Sequence, residues 1–537
     1  MEPDHRACHG QAMATVREIA HHFLQRHGLT TIFGNPGSNE LPFLRGLPAG
    51  IDYVLGLHEG AVLGMADGFA QVTGRPALVS LHAAAGSGNA MGALTNAVYA
   101  RSPLVLMAGQ QVRTVVGMEG MLANVDPTQL MRPLVGWAGE PTCAEDVPRS
   151  LAQAVFEAEL RRRPTYLSVP YDDWDTEASP NAAMIVERRV RRSATPGEDD
   201  LRALAGWVNT AKHPALVLGG DIDSAGLFDR SVALAEHLDA PTWVAPSSFR
   251  LPFPNRHPLF RGVLPAGIAS VSSALDGHDL ALVLGAPVFR YHQHEPGRYL
   301  PEGTRLVQVT DDAEAAARAP VGEALVADPG MVIEALLKRC TGKVAGEHRY
   351  LPAPEPPVGE VALHPEQVFA ALRDTQPADT TYVVESTATN VAWWRQMDLR
   401  RGGSYFFPAA GGLGFGLPAA VGAAIGNPGR PIVGVIGDGS ANYGITALWT
   451  AAQRGLPVTF VILRNGTYGA LRWFAELLEV GTVPGVDIPG LDFAAIATGY
   501  GVPGHTVSTV DELRTALAAP TDGPRLFQVD TTLTTPE

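Results

Sequence analysis

The stretch PIVGVIGDGSANYGITALWTAAQRGLPVTFVILRN, residues 431–465, contains two apolar runs of strand length, PIVGVIG and VTFVIL. Between them, NYGITALWTAAQRG has the apolar spacing of a helix. A strand, a helix and a second strand within about 30 residues predict a parallel βαβ unit. Asp438 follows the first strand and Asn465 the second. The unit therefore predicts that both side chains emerge at the same edge of a sheet, where α/β proteins bind ligands.

The same alternation of short apolar runs with helical patterns recurs along the chain and predicts an α/β protein. We expect three domains, each a mostly parallel sheet flanked by helices. The predicted strands lie at 30–34, 53–57, 77–81, 103–109, 165–170, 214–220, 241–246, 280–287, 305–310, 381–387, 404–407, 431–437, 458–463 and 525–530. The predicted parts are an N-terminal extension (1–13), an N-terminal domain (14–182), a central domain (196–341), a proline-rich linker (342–360) and a C-terminal domain (361–537).

The composition narrows the possible partners and compartment. A net charge of −15 over 537 residues, with no compensating basic block, argues against a nucleic-acid or membrane partner. Three widely spaced cysteines, Cys8, Cys143 and Cys340, predict a reducing, cytoplasmic location without disulfides or a zinc site. The N-terminus has no apolar core and does not predict a signal peptide. Residues 409–426 carry no charge, but their glycines and Pro418 predict a buried loop and core helix rather than a membrane span.

Asp438 and Asn465 have two interpretations on spacing alone. Two converging oxygen ligands suit a hard cation such as Mg²⁺ or Ca²⁺. The N–H groups that begin the helix after Gly439 would add an anion site, and a metal beside a helix N-terminus is suited to binding a diphosphate. The alternative is an aspartate that caps the helix and an asparagine in a turn, with no ligand. The spacing does not decide between them.

The GDG triplet followed after 27 residues by asparagine resembles the cofactor motif of the thiamine diphosphate-dependent 2-oxo acid decarboxylase family. The family pattern usually ends in two asparagines, whereas this chain has Arg464 before Asn465. The resemblance covers the chain from about residue 14 and implies the thiamine diphosphate-binding fold. It also implies that Asp438, Asn465 and the carbonyl of Thr467 hold Mg²⁺, for which Ca²⁺ could substitute, against the cofactor's diphosphate.

Five further motifs resemble the benzoylformate decarboxylase branch of this family. They are GNPGSNELPF (34–43), LHAAAGSGNAMGAL (81–94), SVPYDDW (168–174), GAPVFRYHQH (285–294) and AAGGLGFGLPAA (409–420). The branch converts an aromatic 2-oxo acid, benzoylformate, to benzaldehyde and CO₂. The resemblance implies that the N-terminal domain binds the cofactor's pyrimidine and the C-terminal domain its diphosphate. It further implies a homo-oligomer, a dimer of dimers, whose site is completed across a subunit interface.

Four residues are predicted to be catalytic: Glu59, Ser38, His82 and His292. Glu59 follows a strand and begins an apolar helix, so it is either a desolvated carboxylate suited to proton exchange or a charge favoured at a helix N-terminus. The resemblance implies that Glu59 hydrogen-bonds the aminopyrimidine and activates the cofactor. It implies that Ser38 binds the substrate carboxylate and that His82 and His292 act as acid–base groups. Taken singly, Ser38 could be a turn serine, and the histidines core or surface residues.

The resemblance also implies contacts to the cofactor and the substrate. Leu413 would support the bent cofactor, and the Gly411 carbonyl would accept a hydrogen bond from its amino group. The remaining predicted cofactor contacts are Thr387, Asp438, Gly439, Ser440, Tyr443, Asn465, Thr467 and Tyr468. The predicted substrate pocket is Ser38, Leu122, Phe407, Ala470, Leu471 and Phe474, an apolar aromatic wall that favours a phenyl-bearing acid over pyruvate.

Other functions remain as alternatives. Another enzyme of the same family, of the acetolactate synthase or aldehyde carboligase type, would keep the cofactor and change the products. A flavin or nicotinamide oxidoreductase would use the central domain, but PALVLGGDIDSAG there has only a pair of adjacent glycines and no GxGxxG. A non-catalytic cofactor-binding relative is disfavoured by Glu59, His82 and His292.

Overall fold

The computed structural model describes residues 14–292, 294–343, 348–359 and 361–534. The predicted N-terminal extension and Cys8 lie outside the described residues, as does part of the predicted linker. The chain forms two compact units. Among the described residues, the first unit comprises 14–62, 75–91 and 101–191, and the second comprises 63–74, 92–100 and those from 192 to 534.

The first unit contains a six-stranded sheet within the described residues. In spatial order its strands are Asp52–Leu55, Thr31–Gly34, Ala77–Leu81, Leu104–Gln110, Thr165–Pro170 and Trp137–Gly139. All pairs are parallel. Ala77–Leu81 and Leu104–Gln110 are buried along their whole length, which explains their continuous apolar sequences.

The second unit contains two more six-stranded sheets within its described residues, and their pairs are parallel too. The strands of the first of these, in spatial order, are Glu323–Val326, Arg305–Thr310, Leu280–Leu284, Pro214–Leu218, Thr242–Val244 and Phe260–Val263. Those of the second are Tyr405–Phe406, Thr381–Glu385, Ile432–Gly437, Val458–Arg464, Arg525–Asp530 and Gly504–Val507. Ile432–Gly437 and Val458–Arg464, the strands that precede Asp438 and Asn465, are direct neighbours.

Helices connect the strands in both units. Those up to residue 191 are Val16–Arg26, Leu41–Leu44, Glu59–Thr73, Ala83–Tyr99, Arg113–Val116, Pro127–Met131, Val147–Arg161 and Ala182–Glu187, with 3₁₀ turns at Ala144–Asp146 and Tyr171–Asp175. The later ones are Glu198–Thr210, Gly220–Ser224, Phe228–Leu238, Ile268–Ala274, Ala313–Arg318, Pro329–Arg339, Pro365–Thr375, Asn390–Gln396, Gly416–Gly426, Asp438–Gly444, Ala447–Gln453, Gly469–Leu477, Phe493–Gly499 and Val510–Ala518, with a 3₁₀ turn at Thr387–Thr389. The predicted fold class, parallel sheets flanked by helices, is confirmed.

Every strand predicted from the sequence is present, and four more were missed. The missed strands are Trp137–Gly139, Phe260–Val263, Glu323–Val326 and Gly504–Val507. Each lies at the edge of its sheet and is only partly buried, so its sequence lacks a continuous apolar run.

The single helix predicted after Asp438 is wrong in its bounds. The structure has two short helices, Asp438–Gly444 and Ala447–Gln453, and the first begins at Asp438 itself. The break follows Gly444, where an added Cβ would lie 2.6 Å from Cδ of Pro418. The chain passes too close to that proline for a side chain at this position.

The uncharged stretch 409–426 forms a loop followed by the helix Gly416–Gly426, whose residues are buried through Ala424. Gly422 packs so tightly that an added Cβ would lie 1.8 Å from the carbonyl oxygen of Met65. This confirms the predicted glycine-rich loop and core helix, but the loop is only partly buried, since Ala410 and Gly411 are exposed. Across the described residues, none of the helices has both the length and the apolarity needed to cross a bilayer.

Candidate functional site

Asp438 lies at the carboxyl end of the strand Ile432–Gly437, and its side chain is oriented by the backbone. Its Oδ1 accepts a hydrogen bond from the N–H of Gly439 at 2.8 Å. Its Oδ2 accepts from the N–H groups of Asn465 at 2.9 Å and Gly466 at 2.7 Å. Burial raises the pKa of the Asp438 carboxyl, and these three N–H groups and the charge of Arg464 oppose that rise. The carboxylate is thus buried and stabilised as an anion by peptide groups.

The oxygen atoms around Asp438 fit a hard cation. Asn465 follows the neighbouring strand, and its Oδ1 accepts from the N–H of Thr467 at 3.1 Å. The set consists of one carboxylate, one amide oxygen and the carbonyl of Thr467, which are the ligand types that Mg²⁺ and Ca²⁺ prefer. No group of three His, Cys, Asp or Glu suited to a metal occurs in the described part of the chain. The site at Asp438 would not be found by this criterion, because its proposed ligands include only one carboxylate beside an amide and a backbone carbonyl.

The glycine after Asp438 allows a tyrosine ring to pack against the helix start. An added Cβ on Gly439 would lie 2.5 Å from Cε1 of Tyr468, so position 439 has no room for a side chain beside this ring. The peptide N–H groups of Gly439 and Ser440 begin the helix Asp438–Gly444. A helix N-terminus next to an oxygen-lined cation site suits a metal-bound diphosphate.

A cavity of ≈ 1790 Å³ in the second unit opens beside these residues. It is lined by all the residues predicted for the cofactor and the substrate in this unit: Thr387, Gly411, Leu413, Asp438, Gly439, Ser440, Tyr443, Asn465, Thr467, Tyr468, Phe407, Ala470, Leu471, Phe474 and His292. The structure therefore brings together residues that are up to 182 positions apart in sequence (292 to 474). Their individual roles remain predictions.

His292 and Phe474 form an aromatic contact within this cavity. Their ring centroids lie 5.0 Å apart at an interplanar angle of 82°, an edge-to-face arrangement. The N–H of His292 donates to the carbonyl of Ala266 at 2.8 Å, which fixes its backbone, while the side chain is exposed to the cavity. Phe474 also contacts Trp473, with ring centroids 4.6 Å apart. A titratable imidazole thus lies against an aromatic wall.

The other predicted catalytic residues lie in the first unit, at the carboxyl ends of adjacent strands. Glu59 begins the helix Glu59–Thr73 and is buried. Its Oε1 accepts from Nδ2 of Asn35 at 3.2 Å, and its Oε2 accepts from Nδ2 of Asn89 at 3.0 Å. Each carboxylate oxygen therefore has an amide donor. Neither Asn35 nor Asn89 was predicted as a site residue, although Asn35 stands within the GNPGSNELPF motif.

His82 is paired with a carboxylate that the sequence analysis missed. Nδ1 of His82 lies 2.9 Å from Oε2 of Glu40, which is buried. Glu40 also accepts from the N–H of Gly37 at 2.9 Å and of Gly109 at 2.8 Å. An added Cβ on Gly37 would lie 2.0 Å from Nδ1 of His82, so the histidine packs directly on the glycine. With Nδ1 bound to the carboxylate, Nε2 is the ring nitrogen left for proton transfer.

Ser38 and Leu122 are the remaining predicted residues, and both are exposed within the first unit. Ser38 donates from Oγ to Oδ1 of Asn39 at 3.3 Å. Leu122 has a positive φ of 66° and 40% side-chain exposure. Within the described residues, Met118, Met121 and Val125 near it are exposed as well. The structure thus places Leu122 on an open apolar segment.

A second buried carboxylate, Glu385, was also missed. It ends the strand Thr381–Glu385 and is fully buried. Its Oε1 accepts from the N–H groups of Gly414 at 2.7 Å and Phe415 at 3.2 Å, and its Oε2 accepts from Gly416 at 2.7 Å. Burial raises the pKa of Glu385 to about 7, against the opposing effect of these three donors. The residues it holds directly follow Leu413.

Comparisons with known proteins agree with this arrangement. Three family models match: the N-terminal TPP binding domain of thiamine pyrophosphate enzymes at residues 14–130, their central domain at 201–336 and their C-terminal TPP binding domain at 386–530. A benzoylformate decarboxylase of Pseudomonas aeruginosa is 57% identical over 524 residues, which cover 97% of this chain and 99% of that protein.

Two further relatives are similar to this chain at different levels of sequence identity. The solved structure of a thiamine diphosphate-dependent 4-hydroxybenzoylformate decarboxylase from Rhodococcus jostii RHA1 has a TM-score of 0.95 at 55% identity, over 97% of this chain and 99% of that one. A putative acetolactate synthase large subunit of Mycobacterium tuberculosis is 30% identical over 94% of this chain and 96% of that protein. The chain therefore belongs to the thiamine pyrophosphate enzymes.

Proposed function

We propose that this chain is a thiamine diphosphate- and divalent metal-dependent decarboxylase that converts benzoylformate, or a closely related aromatic 2-oxo acid, to the aldehyde and CO₂. The observation that carries the proposal is the single cavity in which the oxygen ligands at Asp438 and the aromatic contact of His292 with Phe474 occur together. The 57% identity to a benzoylformate decarboxylase over nearly the whole chain supports the choice of substrate.

In this proposal Asp438, Asn465 and the Thr467 carbonyl hold Mg²⁺, or Ca²⁺ in its place. The start of the helix Asp438–Gly444, at Gly439 and Ser440, contacts the diphosphate. Thr387, Gly411, Leu413, Tyr443 and Tyr468 contact the rest of the cofactor, as their places in the cavity lining allow. When bound, the cofactor supplies the electron sink for decarboxylation. The protein supplies its orientation and the exclusion of water.

The proposed acid–base groups have different hydrogen-bonding or packing partners, and we assign them different roles. Glu59, held by two amide donors, exchanges a proton with the pyrimidine ring of the cofactor. His82, oriented by Glu40, and His292, packed on Phe474, donate and accept protons at the oxygen and carbon atoms of the substrate. Ser38 binds the substrate carboxylate, and its exposed hydroxyl is free to turn toward it.

In the second unit the proposed substrate pocket comprises Phe407, Ala470, Leu471 and Phe474. The resemblance adds Ser38 and Leu122, which belong to the first unit. The aromatic members of the pocket suit a phenyl ring, and an apolar surround favours loss of CO₂ because the charge of the carboxylate disperses as the bond breaks. The resemblance also implies a homo-oligomer, a dimer of dimers with the site completed across a subunit interface, and a cytoplasmic location. Both remain predictions.

Side carboligation of aldehydes is part of this proposal, because it is an activity found among the thiamine pyrophosphate enzymes to which the chain belongs. The oxidoreductase alternative finds no support in the central sheet. An added Cβ on Gly219 would lie 2.1 Å from the carbonyl oxygen of Gly285, so this glycine serves packing between strand ends.

The test is an assay of the purified, full-length protein with benzoylformate, with and without thiamine diphosphate and Mg²⁺. We expect benzaldehyde and CO₂ in equal amounts, only when both cofactors are present. Glu59→Gln keeps the size of the side chain and should lower turnover at saturating cofactor by about 100-fold or more. The exposed Glu145→Gln, on the same unit, serves as the matched control. Aldehyde release that is independent of the cofactor would overturn the proposal.

A further inference from the structure

We propose that Asn96 is a positioning residue of the active site, which together with Glu385 holds the loop 408–415 in the conformation that presents the Gly411 carbonyl and Leu413 to the cofactor. The inference rests on the proposed function for the roles of Gly411 and Leu413. Asn96 and the loop both belong to the second unit. Neither Asn96 nor Glu385 lines the cavity, so both act through the loop.

Asn96 binds the loop with both ends of one amide. Its Oδ1 accepts from the N–H of Ala410 at 3.1 Å and of Gly412 at 3.3 Å. Its Nδ2 donates to the carbonyl of Gly412 at 2.8 Å. Asn96 is 1% exposed, so no water competes for these bonds. Only a primary amide offers an acceptor and a donor at this length, and hence aspartate, leucine or serine could not make the same three bonds.

These bonds surround Gly411 on both sides without using its carbonyl. Gly411 has φ +72°, a left-handed conformation that favours glycine, and its N–H donates to the carbonyl of Pro408 at 3.1 Å. Among the described residues, no hydrogen bond reaches the Gly411 carbonyl. The loop is therefore fixed through its neighbours while one carbonyl remains available to a donor on a ligand.

The far end of the loop is held by Glu385. Its carboxylate accepts three successive N–H groups immediately after Leu413, those of Gly414, Phe415 and Gly416, which lead into the helix Gly416–Gly426. An added Cβ on Gly416 would lie 2.8 Å from Cβ of Glu385, which shows how closely the strand end approaches the helix. Leu413 thus lies between an amide anchor and a carboxylate anchor, both buried.

Neither anchor is one of the predicted diphosphate or metal ligands, and this predicts a separation of tasks. The Asp438 oxygens determine how tightly the diphosphate and metal bind. The loop determines whether the Gly411 carbonyl is placed to accept a hydrogen bond from the amino group on the cofactor's pyrimidine. A variant that frees the loop should therefore lose the contribution of that amino group and retain binding of the diphosphate end.

The experiment compares the affinity of the full-length protein for three probes by titration calorimetry: thiamine diphosphate, an analogue that lacks the pyrimidine amino group, and Mg²⁺-pyrophosphate. The wild type should prefer thiamine diphosphate over the analogue by about ten-fold, the value of one hydrogen bond of about 1.4 kcal/mol. In Asn96→Leu we expect this preference to fall below about three-fold, with Mg²⁺-pyrophosphate affinity unchanged. Asn96→Asp, which keeps the acceptor, should lie between.

The control is Asn209→Leu. Asn209 also donates to a carbonyl, that of Arg339, and accepts from an N–H, that of Thr341, but it does not line the cavity. It should keep the wild-type preference. If Asn96→Leu fails to fold, Asn96→Asp and Glu385→Gln carry the same comparison. A folded loop variant that still prefers thiamine diphosphate as the wild type does would overturn this inference, whereas a wild type that binds no thiamine diphosphate would overturn the proposed function and this inference with it.

Discussion

Nδ1 of His82 lies 2.9 Å from Oε2 of Glu40, and the same carboxylate accepts two backbone N–H groups from elsewhere in the unit. The histidine is therefore held in one tautomer and one orientation by a buried anion. Substitution of Glu40 should therefore test the role of His82 as directly as substitution of His82 itself.

Glu40→Gln should lower kcat by roughly 10- to 100-fold and leave KM for benzoylformate within about three-fold, because part of the 10²–10⁴-fold contribution of an acid–base group is lost when it is misoriented. The amide must turn its NH₂ either toward His82 and the N–H of Gly37 or toward the N–H of Gly109, so in both cases a hydrogen bond from a backbone N–H becomes a repulsion. Steady-state kinetics measure both constants, with Glu145→Gln as control. A double variant with His82→Ala that is no slower than His82→Ala alone supports the pairing, and additive losses would contradict it.

Removal of the metal ligand should act on binding rather than on chemistry. Asp438→Asn replaces one carboxylate oxygen by an NH₂ group, which cannot bind a cation and faces backbone donors. We expect the apparent affinity for Mg²⁺ and thiamine diphosphate to fall by on the order of 100-fold, since this oxygen set has only one carboxylate. Calorimetric titration measures it. Asp511→Asn, whose carboxylate is 96% exposed, should bind as the wild type does.

Glu385 predicts a pH dependence of stability. Its pKa is raised by burial from the ordinary 4.5 to about 7, so the folded protein binds a proton that the unfolded chain has released. The protonated carboxyl thus contributes stability that is complete below pH 4.5 and is lost as pH rises through about 7. The slope should be up to about 1.4 kcal/mol per pH unit in that window.

The measurement is the difference in thermal midpoint between the wild type and Glu385→Gln at several pH values from 4.5 to 8. The wild type should lose stability relative to the variant as pH rises, because the amide does not titrate. Since all other groups are common to both proteins, their contributions cancel. A difference that stays constant with pH would show that Glu385 does not titrate in this range.

A pair of glycines on helices of the second unit predicts opposite effects of the same substitution. An added Cβ on Gly68 would lie 2.2 Å from the carbonyl oxygen of Ala419, which is backbone and cannot yield. Gly68→Ala should destabilise the protein by about 1–3 kcal/mol. Gly92 is exposed and has open space around it, so Gly92→Ala should be neutral or stabilise by up to about 1 kcal/mol. Thermal midpoints that move in the same direction for both would contradict the close packing at Gly68.

The central strands of the sheets could be predicted from the sequence, and most of the edge strands could not. Strands such as Ala77–Leu81 and Leu280–Leu284 are buried on both faces and therefore have continuous apolar sequences. Glu323–Val326 is exposed along most of its length, so nothing in its composition sets it apart from a loop. The boundaries of the predicted domains and linker stay predictions.

The site divides in the same way. Asp438 and Asn465 were predictable because each follows an apolar strand and the two strands are adjacent. Asn96 and Glu385 were not, because their partners are backbone groups up to 316 residues away. A peptide N–H is present at every residue but proline, so the sequence does not show which of these groups a buried side chain will bind. Glu40 lies within a motif that the sequence analysis quoted, but only the fold brings it to His82, 42 residues away.

The hydrogen bonds at Asp438 have a consequence for how such enzymes diversify. All three of the donors that orient it are peptide groups, which no point substitution except one to proline removes while the strands keep their register. The wall formed by Phe407, Ala470, Leu471 and Phe474 consists of side chains, and a single codon change alters any one of them. Over evolutionary time the cofactor's place is therefore conserved by the main chain, while acceptance of new acids can drift one residue at a time.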